Sequence, residues 1–100
     1  MMAKTKPPPS APPLVAPAAI SVRVLFFASV ADLMGERRRN LRLTAGATVA
    51  DALRDMAIDV PELAARAPHV SFAVNESFVS ADAPLSNGDE LALIPPVSGG

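Results

Sequence analysis

The chain has 100 residues, half of them apolar, which suits a single domain built around one core. Its formal net charge of −1 and its four aromatic residues argue against a nucleic-acid or anionic-membrane partner, and no apolar run is long enough to span a bilayer. Cysteine is absent and His69 is the only histidine, so the sequence predicts no thiolate catalysis, metal site or cofactor.

The first 18 residues are rich in proline and show no apolar periodicity. Lys4 and Lys6 run directly into Pro7-Pro8-Pro9 instead of the uninterrupted apolar stretch of a signal peptide. We therefore expect residues 1–18 to be a disordered or polyproline-like extension, residues 19–96 to be the folded domain, and residues 97–100 to be a flexible, functional tail.

Residues 20–27 are rich in strand formers, and Ile20, Val22, Val24 and Phe26 alternate along one face that should point to the core. The other face starts polar and becomes apolar at Leu25 and Phe27. Ser29 is then predicted to cap a short helix that runs through Met34 and stops at Gly35.

The run Arg37-Arg38-Arg39 has two interpretations, an anion site or a solvated strand edge. The second is favoured because no glycine-rich phosphate cradle lies nearby. Residues 40–43 alternate and predict a second strand with Leu41 and Leu43 inward.

The sequence predicts its main helix from Thr48, which should cap the helix with Asp51 in a variant of the capping box. The next four apolar residues follow the spacing of one helix face: Val49, Ala52, Leu53 and Met56. Pro61 should begin a second short helix over residues 62–67.

The last third of the sequence predicts three extended segments. Residues 70–75 form a strand, residues 78–80 a short return after a turn, and residues 90–94 the final strand, with Leu91 and Leu93 inward. Asn87-Gly88 favours a tight turn before it. This order predicts an α+β, two-layer β-grasp fold, with a mixed sheet packed on one main helix and the last strand near its centre.

The chain ends in Pro95-Pro96-Val97-Ser98-Gly99-Gly100. The prolines should end the ladder and stiffen the exit, and the two glycines form a tip without side chains that can thread a narrow channel. The Gly100 carboxylate needs activation as an adenylate before a sulfur nucleophile can attack it. The domain has no nucleotide loop and no cysteine, so a carrier is predicted and not a catalyst. The alternative is an incidental flexible end.

From about Ile20 onward the sequence resembles the small, sulfur-carrying subunits of molybdopterin synthases, which are ubiquitin-like proteins. The resemblance lies in residues 24–28, in Val74-Asn75 and Phe78-Val79, in Leu85 and residues 88–90, and above all in the Pro-Pro-Val-x-Gly-Gly end.

The resemblance implies a noncatalytic, cytoplasmic subunit. An E1-like enzyme would adenylate Gly100, a sulfurtransferase would convert it to a thiocarboxylate, and the tail, residues 95–99, would enter the large catalytic subunit of a heterotetramer with two copies of each. There the sulfur would pass to cyclic pyranopterin monophosphate and build the molybdopterin dithiolene. A carrier of thiamine or cysteine synthesis, a ubiquitin-like modifier and a plain interaction module are the alternatives.

The resemblance also implies partner contacts at Phe27, Phe78 and Ile94. Alternation along the strands places Leu25, Phe27 and Ile94 on the face away from the core, which independently predicts an apolar patch at the base of the tail. The alternative is that Phe27 and Phe78 belong to the core under a loop. His69 is predicted to be an ordinary loop histidine.

Overall fold

The computed structural model describes residues 18–96 of the chain. Over this range the elements are β1 (Ala19–Phe26), α1 (Ala28–Met34), β2 (Arg38–Thr44), α2 (Val49–Asp59), α3 (Glu62–Arg66), a 3-10 turn (Ala67–His69), β3 (Ser71–Val74), β4 (Ser77–Val79) and β5 (Glu90–Ile94).

The five strands form one sheet in the order β2-β1-β5-β3-β4. Strands β1 and β5 run parallel, while β1 with β2, β3 with β5 and β3 with β4 run antiparallel. The last strand in sequence thus lies in the centre of the sheet, as predicted. The helices cover one face of this mixed sheet, so the expected β-grasp architecture is confirmed.

The core lies between the sheet and α2. The inward residues of β1 and β5 and the apolar stripe of α2 are all buried, and Val24, Met56, Leu91 and Leu93 have no exposed surface. No polar or charged residue in the described part of the chain is buried. The core therefore depends on apolar packing, which is non-directional and proportional to the area removed from water.

The start of α2 forms the predicted capping box. The Thr48 hydroxyl accepts a hydrogen bond from the Asp51 backbone N–H (3.2 Å), and the Asp51 carboxylate accepts one from the Thr48 N–H (2.9 Å). Arg54 also donates to Asp51, at 2.8 Å. Two backbone donors that a helix start leaves unpaired are satisfied in this way.

The start of α1 differs from the prediction. Ser29 does not cap the helix, because the extended backbone continues through Phe27, which occupies the N-cap position without a side-chain cap. The Phe27 carbonyl accepts from the Val30 N–H at 3.0 Å, and Ala28 turns the chain with a φ of 47°. The predicted end is confirmed, since Gly35 adopts a left-handed φ of 75° and donates to the Ala31 carbonyl.

Thr48→Ala should lower the free energy of unfolding by about 1 kcal/mol, because it removes the side-chain oxygen of the capping box. For a domain of this size that loss corresponds to a melting temperature lower by about 4–8 °C. Ser29→Ala is the matched control and should leave stability nearly unchanged, because Ser29 makes no cap. Thermal denaturation of the two variants beside the parent chain measures both effects. Equal losses in the two variants would contradict the observed caps.

Asp51 should make the stability of the domain depend on acid pH. The hydrogen bond from the Thr48 backbone, followed by that from Arg54, holds the pKa of Asp51 below its usual value of 3.8. A carboxyl with a lowered folded-state pKa stabilises the fold above its unfolded pKa, and this contribution is lost as pH falls through the folded pKa. Asp51→Asn should therefore lower the urea midpoint more near pH 7 than near about pH 2.5. An equal loss at both pH values would contradict this.

Candidate functional site

The tail begins at the end of the central strand. The last paired residue of β5 is Ile94, which lies opposite Ser71 of β3. Pro95 is half-buried and Pro96 is exposed, and neither has a backbone N–H to continue the ladder. The remaining predicted tail residues, Val97, Ser98, Gly99 and Gly100, lie outside the described residues. The structure thus shows the base of the tail, at the end of the sheet where β1 also ends.

One row of residues crosses the face of the sheet that the helices leave uncovered. The strand registers pair Leu25 with Ala92, Ala92 with Ala73, and Ala73 with Phe78, so these four residues are neighbours across β1, β5, β3 and β4. Side chains of paired residues lie on the same face of a sheet. The row is entirely apolar and has small residues in the middle and large ones at both ends.

Two further apolar residues extend this row toward the tail. Phe27 follows β1 at the position beside Ile94, and its N–H donates to the Leu93 carbonyl at 3.3 Å. We define the tail-side patch as these six residues: Leu25, Phe27, Ala73, Phe78, Ala92 and Ile94.

The patch is more exposed than a core. Phe78 is 75% exposed and Phe27 is 45% exposed, while Leu25, Ala92 and Ile94 are half-buried. The interpretation of the two phenylalanines as core under a loop is therefore wrong. Large apolar side chains grouped in this way on the surface typically mark a contact with another protein.

A tight hairpin holds Phe78 in place. Asn75 and Glu76 both have positive φ values, 50° and 71°, as a two-residue turn between β3 and β4 requires. The Asn75 side chain donates to Asp89 (2.9 Å) and accepts from the Glu90 N–H (3.0 Å), so the turn is tied to the start of β5. These bonds make β4, which carries Phe78, a fixed edge of the sheet.

The arginine run lies at the opposite edge of the sheet. Arg39 donates to Glu36 at 2.7 Å and to Asp59 at 3.3 Å, so its charge is already paired. Arg38 pairs with Leu25 in the ladder, and both Arg37 and Arg38 are exposed beside the patch. The favoured interpretation, a solvated strand edge, agrees with this placement.

The candidate site contains no titratable side chain of its own. His69 is exposed in the 3-10 turn, two residues before Ser71, which lies opposite Ile94. Within residues 18–96 no cluster of His, Asp or Glu is arranged to hold a metal, and no helix is long and apolar enough to cross a membrane. The patch has the apolar character of a surface that recognises another apolar surface.

The sequence reasoning did not identify two of the patch residues, Ala92 and Ala73, of which Ala73 is the more buried. It is 6% exposed although it lies on the face away from the helices. In the predicted strand over residues 70–75, Val70, Phe72 and Val74 alternate along one face, which leaves Ala73 on the other face, and this alternation is the signal that could have found it. Ala73 and Ala92 lie between Leu25 and Phe78, and because their side chains are small, the surface is lower there than at the two ends of the row.

A family model and a similar protein both relate the chain to sulfur carriers. The model of the ThiS family matches residues 24–100. The molybdopterin synthase sulfur carrier subunit of Escherichia coli K12 is 42% identical over 82 residues, which cover 79% of this chain and 99% of that protein.

Two solved structures share the fold. The crystal structure of SAMP1 from Haloferax volcanii superposes with a TM-score of 0.72 at 33% identity and covers 80% of this chain and 99% of that one. A chain in the complex of subunits 1 and 2 of the molybdopterin-converting factor from Helicobacter pylori superposes with a TM-score of 0.56 at 26% identity. This match covers 81% of the present chain and 100% of that one. With a family match over three-quarters of its length and a relative this similar, the chain belongs to the ThiS family and is a sulfur carrier of the molybdopterin synthase small-subunit type.

Proposed function

We propose that the chain is the small subunit of a molybdopterin synthase and that it carries the transferable sulfur on Gly100. The observation that carries this proposal is the central strand β5, which ends at Pro95-Pro96 beside an exposed apolar patch and is followed in the sequence by a terminal Gly-Gly. The Escherichia coli relative and the Helicobacter pylori complex support the choice of this family of partners.

The chemistry begins with activation of the Gly100 carboxylate on an E1-like enzyme. A carboxylate oxygen attacks the α-phosphate of ATP, pyrophosphate leaves, and an acyl-adenylate forms. Sulfide supplied through a sulfurtransferase then attacks the acyl carbon, and AMP leaves with the bonding electron pair. The product is a thiocarboxylate, whose sulfur is more nucleophilic than the oxygen it replaced.

The large catalytic subunit receives this sulfur in the proposed reaction. The thiocarboxylate sulfur bonds to a carbon of cyclic pyranopterin monophosphate as a carbon–oxygen bond at that carbon breaks and the oxygen leaves with the electron pair. Water then cleaves the acyl–sulfur bond, which leaves the sulfur on the pterin and restores the Gly100 carboxylate. Two such transfers supply the dithiolene. The carrier itself binds no cofactor, and the synthase is a heterotetramer of two small and two large subunits.

Each part of the chain has a separate role in this proposal. The patch, with Leu25, Phe27, Phe78 and Ile94 as its large residues, holds the large subunit and, in turn, the activating enzyme. Pro95 and Pro96 direct the tail away from the sheet, and Val97, Ser98 and Gly99 thread it into a channel. Without Cβ atoms the Gly-Gly tip fits a channel that a bulkier end would block.

A ubiquitin-like modifier is the second candidate. The likeness to SAMP1, the small archaeal modifier protein 1 of Haloferax volcanii, favours it. Both functions begin with the same adenylate and differ in the nucleophile that follows, sulfur in one and a lysine amine in the other. A sulfur carrier for thiamine or cysteine synthesis would share the first two steps and differ in the acceptor.

Coexpression with its activating enzyme and sulfurtransferase should yield a protein heavier by one oxygen-to-sulfur exchange, located in the peptide that ends at Gly100. Intact-mass and fragment-ion spectrometry measure this. A chain lacking Gly99 and Gly100 should keep its fold and lose the modification, together with all sulfur transfer. A terminus that remains a plain carboxylate under these conditions would overturn the proposal.

Phe78→Asp should weaken binding to the large subunit by about 30-fold or more, because it replaces a large apolar side chain of the patch with a charge. The stability of the free chain should change little, since Phe78 is 75% exposed. Isothermal titration with the large subunit measures the affinity.

Ile58→Asp is the matched control for this measurement. Ile58 is 77% exposed, as open as Phe78, but it lies on α2, on the other side of the sheet from the patch. The affinity of the Ile58→Asp variant for the large subunit should equal that of the parent chain. Parental affinity in Phe78→Asp, or an equal loss in Ile58→Asp, would contradict the assignment of the patch.

A further inference from the structure

Charged residues are distributed unevenly between the two sides of the domain. Residues 18–96 contain seven arginines, no lysine and all ten acidic residues of the chain, so their formal net charge is −3 with His69 neutral. Helix α2 alone carries three aspartates against one arginine: Asp51, Asp55, Asp59 and Arg54. The sheet face that the helices leave uncovered has charge of the opposite sign.

The strand registers place Arg23, Arg38 and Arg42 on the same uncovered face as the tail-side patch. Glu90 is the only acidic residue in the five strands of residues 18–96, and Arg23 donates to it at 3.3 Å. Arg38 and Arg42 are exposed and form no ion pair with another described residue. An uncompensated positive charge therefore lies on one face of a domain that is negative as a whole.

A hollow of about 490 Å³ joins this charge to the patch. Leu25 and Phe27 line its apolar side, and Arg37 and Arg38 line its basic side. Asp32 of α1 also lines the hollow, but it forms no ion pair with either arginine. Arg37 is exposed as well, so the guanidinium groups beside the patch are accessible to a partner.

Protection of the sheet edge does not explain this arrangement. Charged side chains on an edge strand hinder pairing with other sheets, and β2 is an edge strand. The other edge strand, β4, has no charged residue, although it carries the exposed Phe78. The charge therefore lies at one end of the apolar row and not at the other.

We propose that Arg37, Arg38 and Arg42, here called the basic strip, bind carboxylates on the large subunit. The partner surface would then be apolar over the patch and acidic along β2. This inference rests on the proposed function and adds the chemistry of its docking surface. Apolar contact is non-directional, and the row has large side chains at both ends. Charge at one end fixes which way round the partner docks, because a basic surface opposite the strip is disfavoured.

A protein surface fits the strip better than a phosphate group or a nucleic acid. Arg38 and Arg42 are about 13 Å apart along β2, a spacing that suits separate carboxylates rather than a single phosphate. A polyanion that extended beyond the strip would meet a domain of net negative charge. An apolar centre with charges at its rim is also the usual composition of a protein–protein interface.

Arg38→Glu should slow association with the large subunit about 10-fold at low ionic strength, because rim charges act mainly on the rate of encounter. At about 0.5 M salt the Debye length falls to about 4 Å, and the difference from the parent chain should nearly vanish. Stopped-flow measurement over a salt series gives the association rate, and the dissociation rate should change much less. Arg38→Lys keeps the charge and should associate at nearly the parental rate.

Arg66→Glu is the matched control. Arg66 is exposed on α3 and forms no ion pair with another described residue, so this variant makes the same change of charge in the helix layer. Its association rate should differ from the parental rate by less than about 2-fold. A parental rate in Arg38→Glu, an equal loss in Arg66→Glu, or a loss that persists at high salt would each overturn the inference.

The same measurements separate this inference from the proposed function. If Phe78→Asp binds weakly while Arg38→Glu associates at the parental rate, the basic strip is wrong and the patch remains the docking surface. A parent chain that does not bind the large subunit would overturn the proposed function, and the inference with it.

Discussion

The position of β5 is the constraint on which the rest of the structure depends. Leu91 and Leu93 on its inner face have no exposed surface, and the strand is hydrogen-bonded on both sides, to β1 and to β3. Removing it would split the sheet and open the core at once. The last strand is therefore also among the most firmly held elements of the fold, and Pro95 follows it directly.

The two faces of the sheet differ in how far their side chains are exposed to solvent. The inner face packs on α2 with residues that are almost fully buried, whereas the outer face carries Phe27 and Phe78 into solvent. Burial of an exposed phenylalanine on binding supplies free energy that folding has not used. The Asn75 hydrogen bonds tie the far edge of the outer face to the start of β5, so the proposed binding would need little further ordering of this edge.

Local sequence signals predicted those elements that local interactions decide. The capping box of Thr48 and Asp51 was found because both partners lie within one helical turn, and the stripe of α2 because its period is that of the helix. The cap at Ser29 was wrong, because the first turn of α1 follows from where β1 stops pairing. That point is set by neighbouring strands, and a single strand does not reveal it. Strand β3 (Ser71–Val74) is shorter at both ends than the predicted strand over residues 70–75. At its C-terminal end this is because Asn75 already has the φ of a turn.

The sequence by itself determined the alternation of β1 and β5, the amphipathic helix between them and the resemblance to sulfur carriers. Only the tertiary structure decided that Leu25, Ala92, Ala73 and Phe78 form one row, because strand register depends on pairing between segments far apart in the chain. The tertiary structure also decided that Phe27 and Phe78 are exposed. Exposure depends on which face the helices cover, and a residue's own neighbours in sequence do not specify that.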